Sequence, residues 1–274
     1  MIGAIVGDIV GSRFEWNNHK TKDFALFTDE CRFTDDSVMT LAICNAFLQC
    51  KTDFSDLSLK TTLSMRKLGR VYPDCDYGGR FNMWLHLGKP EPYNSYGNGA
   101  AMRVSACAYV ACSLDEAKKL SETVTAVTHN HPEGLKGAEA TTVAISLALA
   151  GNSKKHIKKH ISDKYYPIDF TLDSIRDGYK FYESCQYTVP QALAAFFESV
   201  SFEDAIRNAI SLGGDSDTIA AITGSIAEAF YGIPDDIRKR ALSFLDEHLL
   251  GILNDFEEKY PPSSRLFRRQ CREL

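Results

Sequence analysis

Two short stretches put carboxylates where they could do chemistry. "FTDDS" at 33–37 carries Thr34, Asp35, Asp36 and Ser37, and "GGDSDT" at 213–218 carries Asp215, Asp217 and Thr218. Each stands directly ahead of a helical apolar pattern. One aspartate per cluster is accounted for by helix capping and the helix dipole. The second is harder to accommodate, because crowded like charges cost energy unless a cation or a proton relieves them. Carboxylates mixed with Thr and Ser hydroxyls are hard oxygen ligands, suited to Mg²⁺ or Mn²⁺ rather than zinc or copper. Two such clusters facing each other across a helical core could hold two ions. A close metal pair orients hydroxyls, activates water and stabilises developing charge. A lone DxD is a weak signal; two acidic clusters, each opening a helix, form a stronger one.

"SYGNGAAMR" at 95–103 sets Ser95, Tyr96, Gly97, Asn98 and Gly99 before an alanine-rich helical pattern. Glycines permit close backbone approach, and amides at a helix start attract anions. The stretch reads as a seat for phosphate or pyrophosphate, or as a plain helix-start turn, with Tyr96 stacking a base or simply packed. "THNHPEGLKGAEAT" at 128–141 brings His129 and His131 before another helix, with no His/Cys cluster that would make a zinc site. Glu15, after "GDIVGSRF", is a further candidate acid or a plain surface carboxylate.

The elements that must carry these residues follow helical periodicity. Val38, Leu41, Ala42, Cys44 and Leu48 follow the first acidic cluster at helix spacing, and Ile219, Ile222, Ile226 and Phe230 follow the second. Gly232 and Pro234 stop that second helix. Further helices are expected at 3–12, 55–68, 98–112, 114–127, 134–150, 173–184, 187–199, 202–212 and 235–253. No run alternates with period two, so the expected fold is all-α in a single domain over 1–274. Small residues such as Gly3, Gly7, Gly11, Ala220, Ala221 and Gly224 would let helices approach closely. Residues 70–98 read as a long functional loop, and 151–172 as a polar surface excursion.

Composition narrows the function classes. The chain has 274 residues, 44% hydrophobic and 24% charged, with a net charge of −5, as expected for a globular protein without a basic nucleic-acid surface. The basic runs "KKHIKKH" (154–160) and "RLFRRQCR" (265–272) read as solvated helix face or tail. Eight cysteines occur without a CxxC pair. In a chain this large, with Cys44, Cys107 and Cys112 in helical patterns, they read as small apolar residues in a reducing cytoplasm. The apolar N-terminus lacks a positive start and is interrupted by Asp8, so neither signal peptide nor membrane span is expected.

The stretches "GAIVGDIVGSRFE", "FTDDS", "SYGNGAAMR", "THNHPEGLKGAEA" and "GGDSDTIAAITGSIAEAFYG" together resemble the successive motifs of the ADP-ribosylglycohydrolases, in family order from residue 3 to about 232. The resemblance implies a compact orthogonal multi-helix domain with a central di-metal cleft. It implies that Thr34, Asp35 and Asp36 supply one side of that site, and Asp215, Asp217 and Thr218 the other. Ser95 to Gly99 would hold the diphosphate and neighbouring ribose, His129 would line the ribose pocket, and Glu15 would have a catalytic or gating role above the metals. The implied reaction is hydrolysis at C1″ of ADP-ribose with two Mg²⁺ or Mn²⁺, water attacking while Asp35, Asp36 or Glu15 handles the proton. The implied partner is an ADP-ribosylated protein or a small ADP-ribose conjugate, acted on by a monomer with no membrane or nucleic-acid partner. An arginine linkage is favoured on charge. Serine-linked or O-acetyl substrates, pyrophosphate cleavage, and a non-catalytic ADP-ribose-binding or structural role are the competing readings.

Overall fold

The computed structural model describes residues 1–261. The helices, in chain order, are α1 (Ile2–Gly11), α2 (Asp35–Gln49), α3 (Leu57–Val71), α4 (Gly79–His86), α5 (Gly99–Met102), α6 (Ser105–Val110), α7 (Leu114–Thr125), α8 (Pro132–Leu149), α9 (Lys154–Lys164), α10 (Leu172–Ile175), α11 (Cys185–Glu198), α12 (Phe202–Ile210), α13 (Ser216–Tyr231), α14 (Asp235–Leu242) and α15 (Glu247–Lys259). No strand occurs among the described residues; one isolated antiparallel bridge joins Gly97 and Ser184. The all-α expectation therefore holds. One continuous apolar core runs from Met1 to Phe256.

The centre of the fold is the pair α1 and α13. All of α1 is buried, and α13 is buried from Ser216 to Ala227. Gly3, Gly7 and Gly11 lie one turn apart along α1. A Cβ on Gly3 would collide with the Gly224 carbonyl, one on Gly7 with the Ala220 carbonyl, and one on Gly11 with the Asp217 backbone. The two helices thus touch backbone to backbone, as the small-residue stripes predict. This contact carries Asp8, on α1, to the start of α13.

Several expected boundaries shift. The 98–112 helix is two pieces, α5 and α6, and Arg103 at the break turns inward with 1% of its surface exposed. The 173–184 helix stops at Ile175, because 183–185 pairs instead with the 96–98 loop: Asn98 N–H donates to Glu183 O at 2.7 Å and Cys185 N–H to Tyr96 O at 3.0 Å. Tertiary pairing overrides local propensity there. The 235–253 helix divides into α14 and α15, with Asp246 capping α15 through Leu249 N–H at 2.9 Å. The 70–98 loop contains α4, which buries Phe81, Trp84 and Leu85. The 151–172 excursion contains α9, capped by Ser153 and anchored through Ile157 and Ile161. Its basic face is not wholly solvated as expected: Lys154 Nζ turns in to donate to the Phe196 carbonyl at 2.8 Å, over the Phe196 and Tyr231 rings, while Lys155 and Lys159 are exposed. The run at 265–272 lies outside the described residues.

The cysteines among the described residues are free thiols, and Cys44 and Cys107 fill core positions. Cys112 differs from expectation: it lies past the end of α6 and is exposed. No helix among the described residues is long and apolar enough to cross a membrane.

Because α1 and α13 meet at their backbones, Gly7→Ala should lower stability by about 3 kcal/mol through forced separation. Gly251→Ala in α15, where a Cβ meets nothing within 4 Å, should be neutral or stabilising by about 0.5–1 kcal/mol. Thermal denaturation of the two variants checks this; equal melting temperatures would contradict the close-contact account.

Candidate metal centre and ligand cleft

The start of α2 is held from outside the helix. The buried Asp8 carboxylate accepts Thr34 N–H at 2.9 Å and Thr34 Oγ1–H at 2.6 Å. It also accepts Ser37 N–H at 3.0 Å and the Ser37 hydroxyl. Asp8 thereby satisfies amides at the helix mouth that have no partner within the helix. Thr34 is the N-cap, its Oγ1 accepting Asp36 N–H at 3.4 Å. Capping therefore leaves Asp35 and Asp36 unused, and their carboxylates project into the cleft.

The start of α13 is built differently. Gly213 and Gly214 adopt φ of +67° and +74°, a region that side chains disfavour. They turn the chain sharply into Asp215. Asp215 is the N-cap by position but makes no side-chain capping bond. Instead it accepts the Asn98 amide at 2.6 Å. Thr218 Oγ1 donates to Asp36 Oδ2 at 3.0 Å, which ties the two acidic clusters directly together. Thr34 Oγ1 lies 3.5 Å from Asp217 Oδ2. The clusters separated in sequence are neighbours in space.

Glu15 follows α1 on an irregular segment pinned at several points. Lys20 Nζ donates to the carbonyls of Arg176, Tyr179 and Leu212 at 2.7, 2.8 and 2.6 Å. Asn18 Oδ1 accepts Gly214 N–H at 2.9 Å. Glu15 is thus brought beside Asp215 and Asp217.

Carboxylate oxygens of Asp8, Asp36 and Asp217 converge within 4.8 Å, as do those of Glu15, Asp215 and Asp217. Both groups are spaced to hold a metal ion. Asp35 lines the same cleft without joining either group. Burial is the first cause that raises the pKa of every member of the cluster, and mutual repulsion follows for Asp35, Asp36 and Asp217. Glu15 is pushed up to about 7 by burial and then by Asp215 and Asp76. Two buried oxygens, Asp36 Oδ1 and Glu15 Oε2, have no hydrogen-bond partner. Unpartnered buried oxygens amid crowded carboxylates fit divalent cations, which would take the place of the missing protons.

The cluster lines a cleft of about 940 Å³. The same cleft is lined by the 95–99 loop, His129, Arg80 and Arg103. Ser95 Oγ accepts Gly97 N–H at 3.2 Å and gives the loop its curl. Asn98 spends its side-chain amide on Asp215 and Thr188, so it links the loop to the acidic cluster. α5 spans only Gly99 to Met102, too short for the helix-dipole contribution expected from a 98–112 helix. His129 is 5% exposed and faces the loop. His131 caps α8 through Glu133 N–H at 3.1 Å, and Tyr96, 50% exposed, rests edge-on against it at 5.2 Å.

A model of the ADP-ribosylglycohydrolase family matches residues 1–265. The chain belongs to the ADP-ribosylglycohydrolase family. Among curated relatives, human ADP-ribosylhydrolase ARH3 is 26% identical over 85% of this chain and 84% of its own length. ADP-ribosylarginine hydrolase Tri1 of Pseudomonas putida is 25% identical over 97% of this chain and 79% of its own. The ADP-ribosyl-[dinitrogen reductase] glycohydrolase of Rhodospirillum rubrum is 29% identical over 89% and 88%. A solved ADP-ribosylglycohydrolase-related protein complex superposes with a TM-score of 0.67 at 23% identity, covering 94% of this chain, and shares the fold. Glu15, Asp35, Asp36, Ser95 to Gly99, His129, Asp215, Asp217 and Thr218 line one cleft, and Thr34 touches it through Asp8 and Asp217. His131 stands apart as a cap of α8, and Asp8, Arg80 and Arg103 are added. A lone carboxylate in the otherwise apolar run "GAIVGDIVG" was the available signal for Asp8, since a buried acid must have partners.

The raised carboxylate pKa values set a sign. Groups with folded pKa above the unfolded value contribute stability at low pH and lose it as pH rises through the folded value. The metal-free protein should therefore melt lower at pH 8 than at pH 6, spanning the value of about 7 for Glu15. Mg²⁺ or Mn²⁺ should raise the melting temperature more at pH 8 than at pH 6, because binding displaces protons at the lower pH. Thermal scans of chelator-treated protein with and without metal check this; an equal metal response at both pH values would contradict it.

Proposed function

We propose that this chain, over 1–274, is a cytoplasmic, monomeric hydrolase that cleaves the bond at C1″ of ADP-ribose, releasing ADP-ribose from a modified arginine side chain. The observation that carries the reading is the pairing of two carboxylate groups of metal-binding spacing with a glycine-rich loop in one cleft. Thr34, Asp35, Asp36, Asp215, Asp217 and Thr218 would hold two Mg²⁺ or Mn²⁺, with Asp8 completing one carboxylate group. When bound, such ions would orient hydroxyls, lower the pKa of water and stabilise developing charge.

The remaining work falls to side chains. Ser95, Tyr96, Gly97 and Gly99 would form the curl that receives the diphosphate and its ribose. Asn98 would hold Asp215 in place through its amide. His129 would line the ribose side of the same cleft. Asp35, Asp36 or Glu15 would take the proton as water attacks C1″ and positive charge develops there, the logic of paired carboxylates at a glycosidic bond. Glu15 is followed by Trp16, which is 73% exposed and stacked on Phe181 at 5.1 Å. A carboxylate beside an aromatic face suits a planar cationic guanidinium. Arg32, which faces Glu15, is already paired with Asp76 at 2.8 Å. A serine hydroxyl gains nothing from that charge, so the arginine linkage is preferred over serine-linked or O-acetyl substrates. Pyrophosphate cleavage is disfavoured, because it would need the metals beside the phosphates, which the glycine-rich loop would hold instead.

Two measurements test this. A panel of ADP-ribosylated arginine, serine and O-acetyl substrates, assayed with Mg²⁺ or Mn²⁺ and after chelation, should show release of ADP-ribose from arginine and loss of activity without metal. Asp217→Asn should abolish turnover at limiting metal while the protein stays folded. Full activity after chelation would overturn the metal assignment, and turnover of serine conjugates alone would overturn the linkage. Separately, Glu15→Gln should lower kcat/KM for ADP-ribosyl-arginine and weaken its dependence on salt. Unchanged kcat/KM and salt dependence would remove Glu15 from the acceptor side.

A further inference from the structure

The two ring nitrogens of His129 face opposite surroundings. Nδ1 lies 2.8 Å from Thr128 Oγ1 and 3.2 Å from Arg103 Nη2. Nε2 points the other way, 3.5 Å from where a Cβ would stand on Gly97 and equally far from one on Gly99. It therefore faces the open, side-chain-free inside of the loop. Arg103 Nη2 also donates to Thr128 Oγ1 at 2.5 Å. Arg103 is 1% exposed, and its Nε has no acceptor. This buried guanidinium is met by a hydroxyl and an imidazole rather than by a carboxylate.

The donors around Nδ1 fix where the ring proton sits. A guanidinium can only donate. Burial pushes Arg103 down to about 10, which leaves it charged at neutral pH. A proton on Nδ1 would point at another N–H at 3.2 Å. With Nδ1 bare, the contacts around it are all favourable: Arg103 Nη2 donates to Thr128 Oγ1, and the Thr128 hydroxyl passes its own hydrogen to Nδ1. The titratable groups facing the ring are Arg103, Arg80 of α4 and Tyr93, whose ring centroid is 5.9 Å away. Burial, and then the two positive charges, hold the imidazole well below its usual pKa, so it does not take a second proton near neutrality.

We propose that Arg103, acting with Thr128, is a positioning residue that fixes His129 as the neutral Nε2–H tautomer, so that the ring presents one permanent donor to an oxygen acceptor of the bound ADP-ribose. The identity of the ligand rests on the proposed function; the tautomer in the free protein does not. The arrangement also gives a reason for burying a cation that makes no ion pair with a carboxylate.

The experiment is long-range proton–nitrogen correlation spectroscopy of protein carrying isotope-labelled histidine, with the His129 signals assigned by their loss in His129→Gln. Wild-type protein should show a bare Nδ1 and a protonated Nε2 between about pH 6 and pH 8, with or without ADP-ribose. Arg103→Met should give mixed tautomers or imidazolium at the lower pH and weaken ADP-ribose binding about tenfold, the loss of one oriented hydrogen bond. Arg103→Lys should restore the tautomer and part of the affinity, which a merely packing role for the side chain would not require. Thr128→Val, nearly the same shape, should shift the tautomer balance in the same direction and carries the test if Arg103→Met does not fold. A protonated Nδ1 in the wild type would overturn the proposal, as would an unchanged tautomer in folded Thr128→Val. Failure of wild-type protein to bind ADP-ribose, with the Nε2–H tautomer intact, would count against the proposed ligand and leave the positioning role standing.

Discussion

Everything at the acidic centre depends on how closely α1 approaches α13. A side chain at Gly3, Gly7 or Gly11 would collide with the α13 backbone, so the contact exists only because these positions carry none. The approach is what lets a carboxylate on the first helix reach the mouth of α2 and the start of α13 at once. Asp8 holds Thr34 and Ser37 through four hydrogen bonds, and Asp217 stands within 4.8 Å of it. Moving α1 outward by the width of a methyl group would detach the α2 mouth from the centre. The packing of small residues and the geometry of the carboxylates are one constraint.

That constraint comes with an electrostatic cost. Six carboxylates are gathered at one centre, and burial, followed for Asp35, Asp36 and Asp217 by mutual repulsion, raises their pKa values, offset only in part at Glu15 by Arg32. Natural cores do not keep such clusters without a counter-charge. In the same cleft Arg80 and Arg103 act on His129, beside the glycine loop. The cleft therefore carries both signs of charge, with the carboxylates and the basic side chains on different lining elements.

The same cleft shows how polar groups are shared rather than duplicated. Asn98 belongs to the loop by position but to the acidic cluster by its amide, which reaches Asp215 at 2.6 Å. Lys20 uses three carbonyls to bind the Glu15 segment to the segments after α10 and α12. In each case one buried donor fixes two parts of the site relative to each other. A satisfied buried network of this kind is stiff, which is what a site acting on a defined bond requires.

The sequence by itself determined the helical class, the two acidic clusters, the loop and the histidine segment. Those features are local: periodicity, capping residues and glycine placement are written in consecutive residues. It also disclosed, through the small-residue spacing of α1 and α13, that the two helices could meet closely. It did not disclose the role of Asp8, because one acid in an apolar run reveals a partner only once the partner's helix is in place. The breaks after Arg103 and Ile175 were hidden for a similar reason, since local propensity favours continuing each helix while hydrogen bonds to distant residues hold Arg103 and residues 183–185 elsewhere. The break at Ser243 is local, with Asp246 capping the helix that follows. Helix α4 was hidden among Gly, Pro and Asn, and forms because Phe81, Trp84 and Leu85 have a core to enter. Which way His129 points, which carboxylates converge, and which basic side chains share their cleft were decided by tertiary structure alone. These are relations between residues far apart in the chain, and only packing fixes the distances on which their energies depend.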